Sequence, residues 1–252
     1  MMNDINAIYT IWLREMIRYS RDRMRILSSI AIAFFYLTIV AVGIGSFASV
    51  GNLDFKLFMA PGIVGITILF TSMFSGMSII WDRQFGFLKE ILVAPVSRTS
   101  IILGKLIGST TIAIANGLMV LILAIILVPV PITIGILPTI VFMILTAFAV
   151  VSLGLIIASR MRSMEGFQAV LSFLILPLFF LAGVFFPLDT APDHIKIASM
   201  LDPLTYGVDG MRGSMIGTQY SHFPLMIDFG VLLVFDIVMI VIASYLFSRT
   251  SV

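Results

Sequence analysis

Apolar residues in this chain come in long unbroken runs separated by short clusters of charge. A helix needs about 20 apolar residues to cross the roughly 30 Å hydrocarbon core of a bilayer. Residues 26–53 carry no charge between Arg25 and Asp54, and residues 57–81 carry none between Lys56 and Asp82. The run 106–159, between Lys105 and Arg160, is too long for one crossing. Pro129, Val130 and Pro131, followed by Thr133 and Gly135, divide it into two helices joined by a tight turn. Residues 166–188 make a fifth run and residues 228–248 a sixth. The pattern predicts an all-α membrane protein of six transmembrane helices, with residues 1–252 forming one membrane domain.

Three stretches break the pattern. In residues 1–25, Ile5, Ile8, Trp12, Met16 and Tyr19 recur at spacings of three and four, while Arg14, Arg18, Arg21 and Arg25 fill much of the rest. That is an amphipathic interfacial helix, with rings at headgroup depth and arginines near anionic lipid. It serves as an anchor, or mechanically couples a partner to the first span. It is too polar at its start to be a cleavable signal peptide. In the loop 82–100, Phe85, Leu88 and Leu92 lie along one helical stripe with Ile91 beside it. Ala94 before Pro95 ends that helix, and Ser97, Thr99 or Ser100 caps the next. The third stretch, residues 187–227, is apolar but punctuated by Asp189, Asp193, Asp202 and Asp209. Asp202-Pro203 splits it into helical pieces at 193–201 and 203–216, an outer re-entrant segment.

Composition changes the picture little: 60% hydrophobic and 11% charged residues lie outside the range of soluble domains. The absence of cysteine excludes disulfides and thiolate chemistry. Charge distribution sets the orientation, because lysine and arginine are retained on the cytoplasmic side. With six spans, twelve of the fifteen Lys and Arg fall on the side of both termini, and Lys56, Lys196 and Arg212 on the other. Both termini are therefore expected in the cytoplasm of a multi-pass plasma-membrane protein.

Candidate chemistry is sparse. Phe179, Phe180, Phe185 and Phe186 cluster around Gly183, as a gate near the outer face or as a lipid-facing aromatic belt. Asp209 and Arg212, three apart on one helical face, are placed to pair across a turn and join Phe185 and Phe186 in the outer gate. Asp236 is an ionisable group inside a span, which places it on a substrate or proton path or in a hydrogen bond to Ser, Thr or Asn116 of a neighbouring helix. Gly104/Gly108 and Ser72/Gly76 have the small-xxx-small spacing of close helix packing, without identifying a dimer face. His194 and His222, with scattered carboxylates, lack the spacing of a metal site. No Gly-x-x-x-x-Gly-Lys-Ser/Thr phosphate loop is present, so any ATP hydrolysis belongs to another chain.

Three motifs carry a family resemblance. Asp82-Arg83-Gln84-Phe85-Gly86-Phe87-Leu88, then Leu92-Val93-Ala94-Pro95-Val96-Ser97-Arg98 and Gly104-Lys105-Leu106, is similar to the first cytoplasmic loop of the type-2 ATP-binding-cassette exporter permeases, the daunorubicin-resistance and polysaccharide-export group. Gly183-Val184-Phe185-Phe186-Pro187 resembles that family's fifth-span exit, and residues 203–213 its outer re-entrant segment. Gln84 departs from the family's usual Glu, which implies a weaker contact there.

The resemblance implies the transport subunit of an ATP-driven exporter, not an enzyme itself, working as a homodimer or paired with a related permease. Each copy would dock a separate ATPase through a coupling helix in the loop 82–100, with Arg83, Phe85, Leu88, Glu90, Leu92 and Arg98 at the contact. The residues 1–25 would be the connecting helix. ATP and Mg would sit on the partner, with no cofactor on this chain and no nucleic-acid partner. An ion-driven secondary transporter has only Asp236 as a coupling group and no evident internal repeat. A non-transporting assembly or sensor protein is the remaining alternative. Substrate identity does not follow from the residues.

Overall fold

The computed structural model describes residues 4–41, 43, 49–50, 53–85, 96–128, 130–131, 135–161 and 163–248. Helix α1 is Asp4–Arg21 and α2 is Arg23–Phe35, which runs on as a π-helical stretch, Tyr36–Val40. Two two-residue strands follow, with Ser49 opposite Asp54 and Val50 opposite Leu53. Next come α3 (Phe55–Ser75), α4 (Met77–Gln84), α5 (Arg98–Leu127), α6 (Ile136–Arg160) and α7 (Met164–Leu181). The short α8 (Asp193–Ser199) and α9 (Pro203–Met215) precede α10 (Leu225–Ser248).

The starts of these helices follow from local chemistry. Asp54 accepts from Lys56 N at 3.0 Å, Ser97 from Ser100 N at 3.1 Å, and Ser163 from Gly166 N at 3.1 Å, each satisfying an amide that the first helical turn leaves unpaired. Asp202 accepts from Leu204 N at 2.9 Å, and Pro203 occupies the first turn of α9. The break expected at Asp202-Pro203 is therefore present. The run 106–159 is also divided, α5 ending at Leu127 and α6 starting at Ile136.

Among the described residues, five helical stretches are long and apolar enough to cross a membrane: Phe55–Gln84, Arg98–Leu127, Ile136–Arg160, Met164–Leu181 and Leu225–Leu246. The expected first span differs. Of the expected run 26–53 the described residues give a helix as far as Val40 and short strands at Ser49–Val50 and Leu53–Asp54. Ile26–Val40 meets Asp4–Arg21 at a 66° bend, and among the described residues a sixth crossing is counted only if this bent pair is a single broken span. The fifth span is also shorter than 166–188, because the helix stops at Leu181 and Gly183 turns the chain at φ +63°, where a side chain would be strained.

The α3–α4 stretch is the hub. Within its most apolar window 72% of residues are buried by the rest of the chain, against 17% for α10. Phe58, Met59, Ile63, Leu69 and Met73 form the centre of the apolar cluster, packed by α5, α6 and α9. The 76 position of the Ser72/Gly76 pair is used inside the chain, since a Cβ on Gly76 would stand 2.6 Å from the Gly154 carbonyl of α6. Helix α9 is enclosed almost completely, from Pro203 through Gly213.

Candidate functional site

One end of the helical assembly is organised around α1. Its buried residues are Ala7, Ile11, Glu15 and Tyr19; of the expected stripe Tyr19 is among them, Ile8, Trp12 and Met16 are half-buried, and Ile5 is 74% exposed. Helix α5 supplies the seat. A Cβ on Gly104 would stand 2.9 Å from Ile11 Cβ, and one on Gly108 would stand 3.1 Å from Glu15 Cβ. The Gly104/Gly108 pair thus admits α1, not a second copy of the chain. Asp4 accepts from Ser97 N, and Trp12 Nε1 donates to Thr111 Oγ1 at 3.2 Å. Tyr19 Oη donates to Asn116 Oδ1 at 2.9 Å. The order of these contacts lays α1 lengthwise and parallel along the first turns of α5. The Ser97 amide and the Ser100 hydroxyl hold Asp4 below the usual carboxylate range.

Four charges lie within this contact. Arg14 Nη2 is 2.5 Å from Asp82 Oδ1, and Lys105 Nζ is 2.6 Å from Asp82 Oδ2 and 3.7 Å from Glu15 Oε1. Lys105 Nζ also donates to Ser78 Oγ at 3.3 Å. The side chains of Lys105, Asp82 and Glu15 are only 1%, 5% and 7% exposed. Arg18 places its guanidinium 5.0 Å from the centre of the Trp81 ring.

The proposed docking residues divide three ways. Arg83 is turned into the chain, donating to the Met161 and Ser159 carbonyls at 2.6 and 3.1 Å, where it caps the last turn of α6. Phe85 is 80% exposed, edge-on to Trp81, and Arg98 opens α5 on an exposed turn. Leu88, Glu90 and Leu92, with the expected helix over 85–92 beyond Phe85, lie outside the described residues.

Beside α1 is a cleft of about 650 Å³, walled by α1, α2, the α3–α4 stretch and α5. Thr67, Thr71, Ser75 and Ser78 present hydroxyls to it, and Phe70, Phe74 and Trp81 present rings. Glu15, Arg18 and Tyr19 form its α1 side.

At the other end, Asp209 and Arg212 lie 3.8 Å apart and are 2% and 3% exposed, so they are not a surface pair. Their stronger partners are backbone. Asp209 accepts from His222 N and Phe223 N, both at 2.8 Å, and Arg212 Nη2 donates to the Gly183 carbonyl at 2.7 Å. Arg212 also sits 4.0 Å above the Phe58 ring. Together they tie the α7 exit, α9 and the approach to α10. His222 pairs with Asp189 through Nδ1. Phe185 packs on Phe179 at 4.9 Å and Phe180 at 5.9 Å between ring centres, and Tyr36 of the first helical pair reaches Phe179 at 6.4 Å. Phe186 is half-buried beside them.

Asp236 is 5% exposed and its Oδ1 has no hydrogen-bond partner among the described residues. Of the expected partners, Ser, Thr or Asn116 of a neighbouring helix, Asn116 instead accepts from Tyr19 and donates to the Ile112 carbonyl. Asp228, about one turn from Pro224 in the same span, is fully buried with both carboxylate oxygens unpaired among the described residues. Sequence reasoning used Lys105 and Asp82 as edges of apolar runs and within family motifs, and did not name them, Glu15 or Asp228 as site residues. A lysine seven residues into a long apolar helix was the available signal for the first of these.

Comparison with known proteins bears on this arrangement. Residues 6–216 match the family described as ABC-2 type transporter. The chain is 26% identical over 246 residues to the inner membrane transport permease YadH of Escherichia coli K12, covering 96% of this chain and 95% of that one. It is 24% identical over 245 residues to nodulation protein J of Rhizobium leguminosarum, covering 95% and 93%. It is 29% identical over 167 residues to the putative transport permease ycf38 of Cyanophora paradoxa, covering 66% and 56%.

Proposed function

The chain belongs to the ABC-2 type transporter family and is a multi-pass permease subunit of an ABC transporter, and we propose that it is an exporter driven by a separate ATPase docked on the loop 82–100. In this reading the chain forms a single membrane domain with both termini in the cytoplasm, and it works as a dimer in the plasma membrane. ATP and Mg act on the partner. Closure of two ATPase subunits pushes on the loop and shifts the helices beside the cleft, opening a path toward the outer face.

One observation carries the docking assignment. The two roots of that loop, Asp82 and Ser97, are both held by α1, through Arg14 and Asp4 respectively. A push on the loop is therefore delivered to α1 and the cleft wall together, without dissipating in a free hairpin. On the opposite side of α1, Ile5, Tyr9, Leu13 and Ile17 form an uncovered apolar row facing away from α5, which suits contact with lipid. The wide uncovered apolar faces of α7 and α10 suit lipid and a second permease copy. Arg212, Asp209, Phe185 and Phe186 close the outer end, with α9 as the re-entrant piece.

The test is replacement of Leu88 and Leu92 by Asp. Each leucine buried in the ATPase contact contributes about 1.5–3 kcal/mol, so the double variant inserts normally but no longer co-purifies an ATPase. Co-purification at the wild-type yield would exclude the loop as the docking site.

A further inference from the structure

We propose that Lys105 is a positioning residue for transport: from α5 it ties α1 to Asp82 at the first root of the 82–100 loop, so that α1 moves with that root and carries the cleft wall with it. This rests on the reading that the loop docks the ATPase. Lys105 sits between the two carboxylates, Asp82 at the loop's first root and Glu15 in the middle of α1. Arg14 closes the chain of charges from α1 back to Asp82, giving two cations and two anions in alternation.

Such a buried set adds little net stability compared with apolar packing, but it punishes misalignment, because any shift leaves a desolvated charge without its partner. The hydrogen bonds of Trp12 and Tyr19 to Thr111 and Asn116 also hold α1 on α5, but the charge set alone ties that pair of helices to Asp82 at the loop root. Since Glu15 belongs to both the charge set and the cleft wall, Lys105 links loop and cleft through a single side chain.

The chain contains no cysteine, so spin labels can be placed at will. Cysteines at Ile17 on α1, Ile107 on α5 and Gln168 on α7 occupy exposed positions. Distances are measured by pulsed electron spin resonance in the permease alone and in the permease–ATPase complex, with no nucleotide and with Mg-ATP and vanadate. In the wild type, the 17–107 distribution stays narrow in every state while 17–168 shifts on trapping.

The variant Lys105→Met with Glu15→Gln removes the bridge and keeps the buried set neutral, since Arg14 and Asp82 remain. It is expected to widen the 17–107 distribution about twofold and to lower permease-stimulated ATP hydrolysis about tenfold, the size of an ordinary coupling energy between sites, while 107–168 is unchanged. Adding Ile11→Cys with Gly104→Cys to that variant permits a disulfide after a small outward shift, because the two Cβ positions are 2.9 Å apart. The cross-link restores hydrolysis, and a reductant abolishes the rescue. An unchanged 17–107 width in the double variant, or a wild-type 17–107 distance that changes with nucleotide, overturns the proposal. A wild-type permease that captures no ATPase would refute the docking reading instead, and the width measured in the permease alone would still decide the lock.

Discussion

Replacing Arg212 by Met tests whether the junction of α7, α9 and α10 is held by buried charge. The guanidinium donates to the Gly183 carbonyl at 2.7 Å, faces Asp209 at 3.8 Å and covers the Phe58 ring at 4.0 Å. A hydrogen bond from a charged group contributes about 1.5–3 kcal/mol, and removing one member of a buried pair costs about 3–5 kcal/mol through the charge left behind. Methionine recovers part of the packing, and Asp209 keeps the His222 and Phe223 amides. The expected net loss is therefore about 3–4 kcal/mol, toward the low end of that range. For a chain of this length each kcal/mol lowers the melting temperature by about 2–4 °C, so a fall of roughly 6–15 °C is expected.

Thermal unfolding in detergent, followed by intrinsic fluorescence, measures it. The companion Asp209→Asn with Arg212→Met removes the uncompensated charge and should melt higher than Arg212→Met alone by several degrees, the non-additivity that marks coupled neighbours. A melting temperature for Arg212→Met within about 2 °C of wild type, less than 1 kcal/mol by the same conversion, would refute the reasoning. A double variant no better than the single would show that packing, not charge, sets the cost.

Two further outcomes bear on topology and the outer seal. Cysteines at Ser97 and Glu165 should be protected from an impermeant thiol reagent in intact cells while those at Thr190 and Thr218, both exposed, should label; labelling at 97 would invert the orientation and remove the docking assignment. Phe185→Ala with Phe186→Ala should fold but let a water-soluble dye leak from proteoliposomes, since Phe185 is one of the rings gathered around Phe179; retention of the dye as in wild type would assign these rings to lipid.

What was legible in the residues alone was everything decided within a segment. Length and hydropathy place a helix in a bilayer regardless of its neighbours, so the runs at 57–81, 106–159 and 228–248 read correctly as membrane helices. Ser97 as a cap, the break between Leu127 and Ile136, and the division at Asp202-Pro203 followed from backbone chemistry spanning a few residues. The family motifs were likewise local strings.

What only the tertiary structure decided was which surfaces meet. Apolar side chains contact lipid or another helix with nearly equal ease, so hydropathy carries little information about neighbours. Gly104 and Gly108 could have faced any helix; they face α1 because Ile11 and Glu15 arrive there. The apolar spacing of α1 could not show, for the same reason, that its buried face includes Glu15, whose burial is tolerable only beside Lys105. Asp209 and Arg212 were correctly paired by their spacing, yet their decisive partners are a carbonyl and two amides from other segments. Polar groups in an apolar surround must find partners wherever the chain brings them, and that distance is set by the fold.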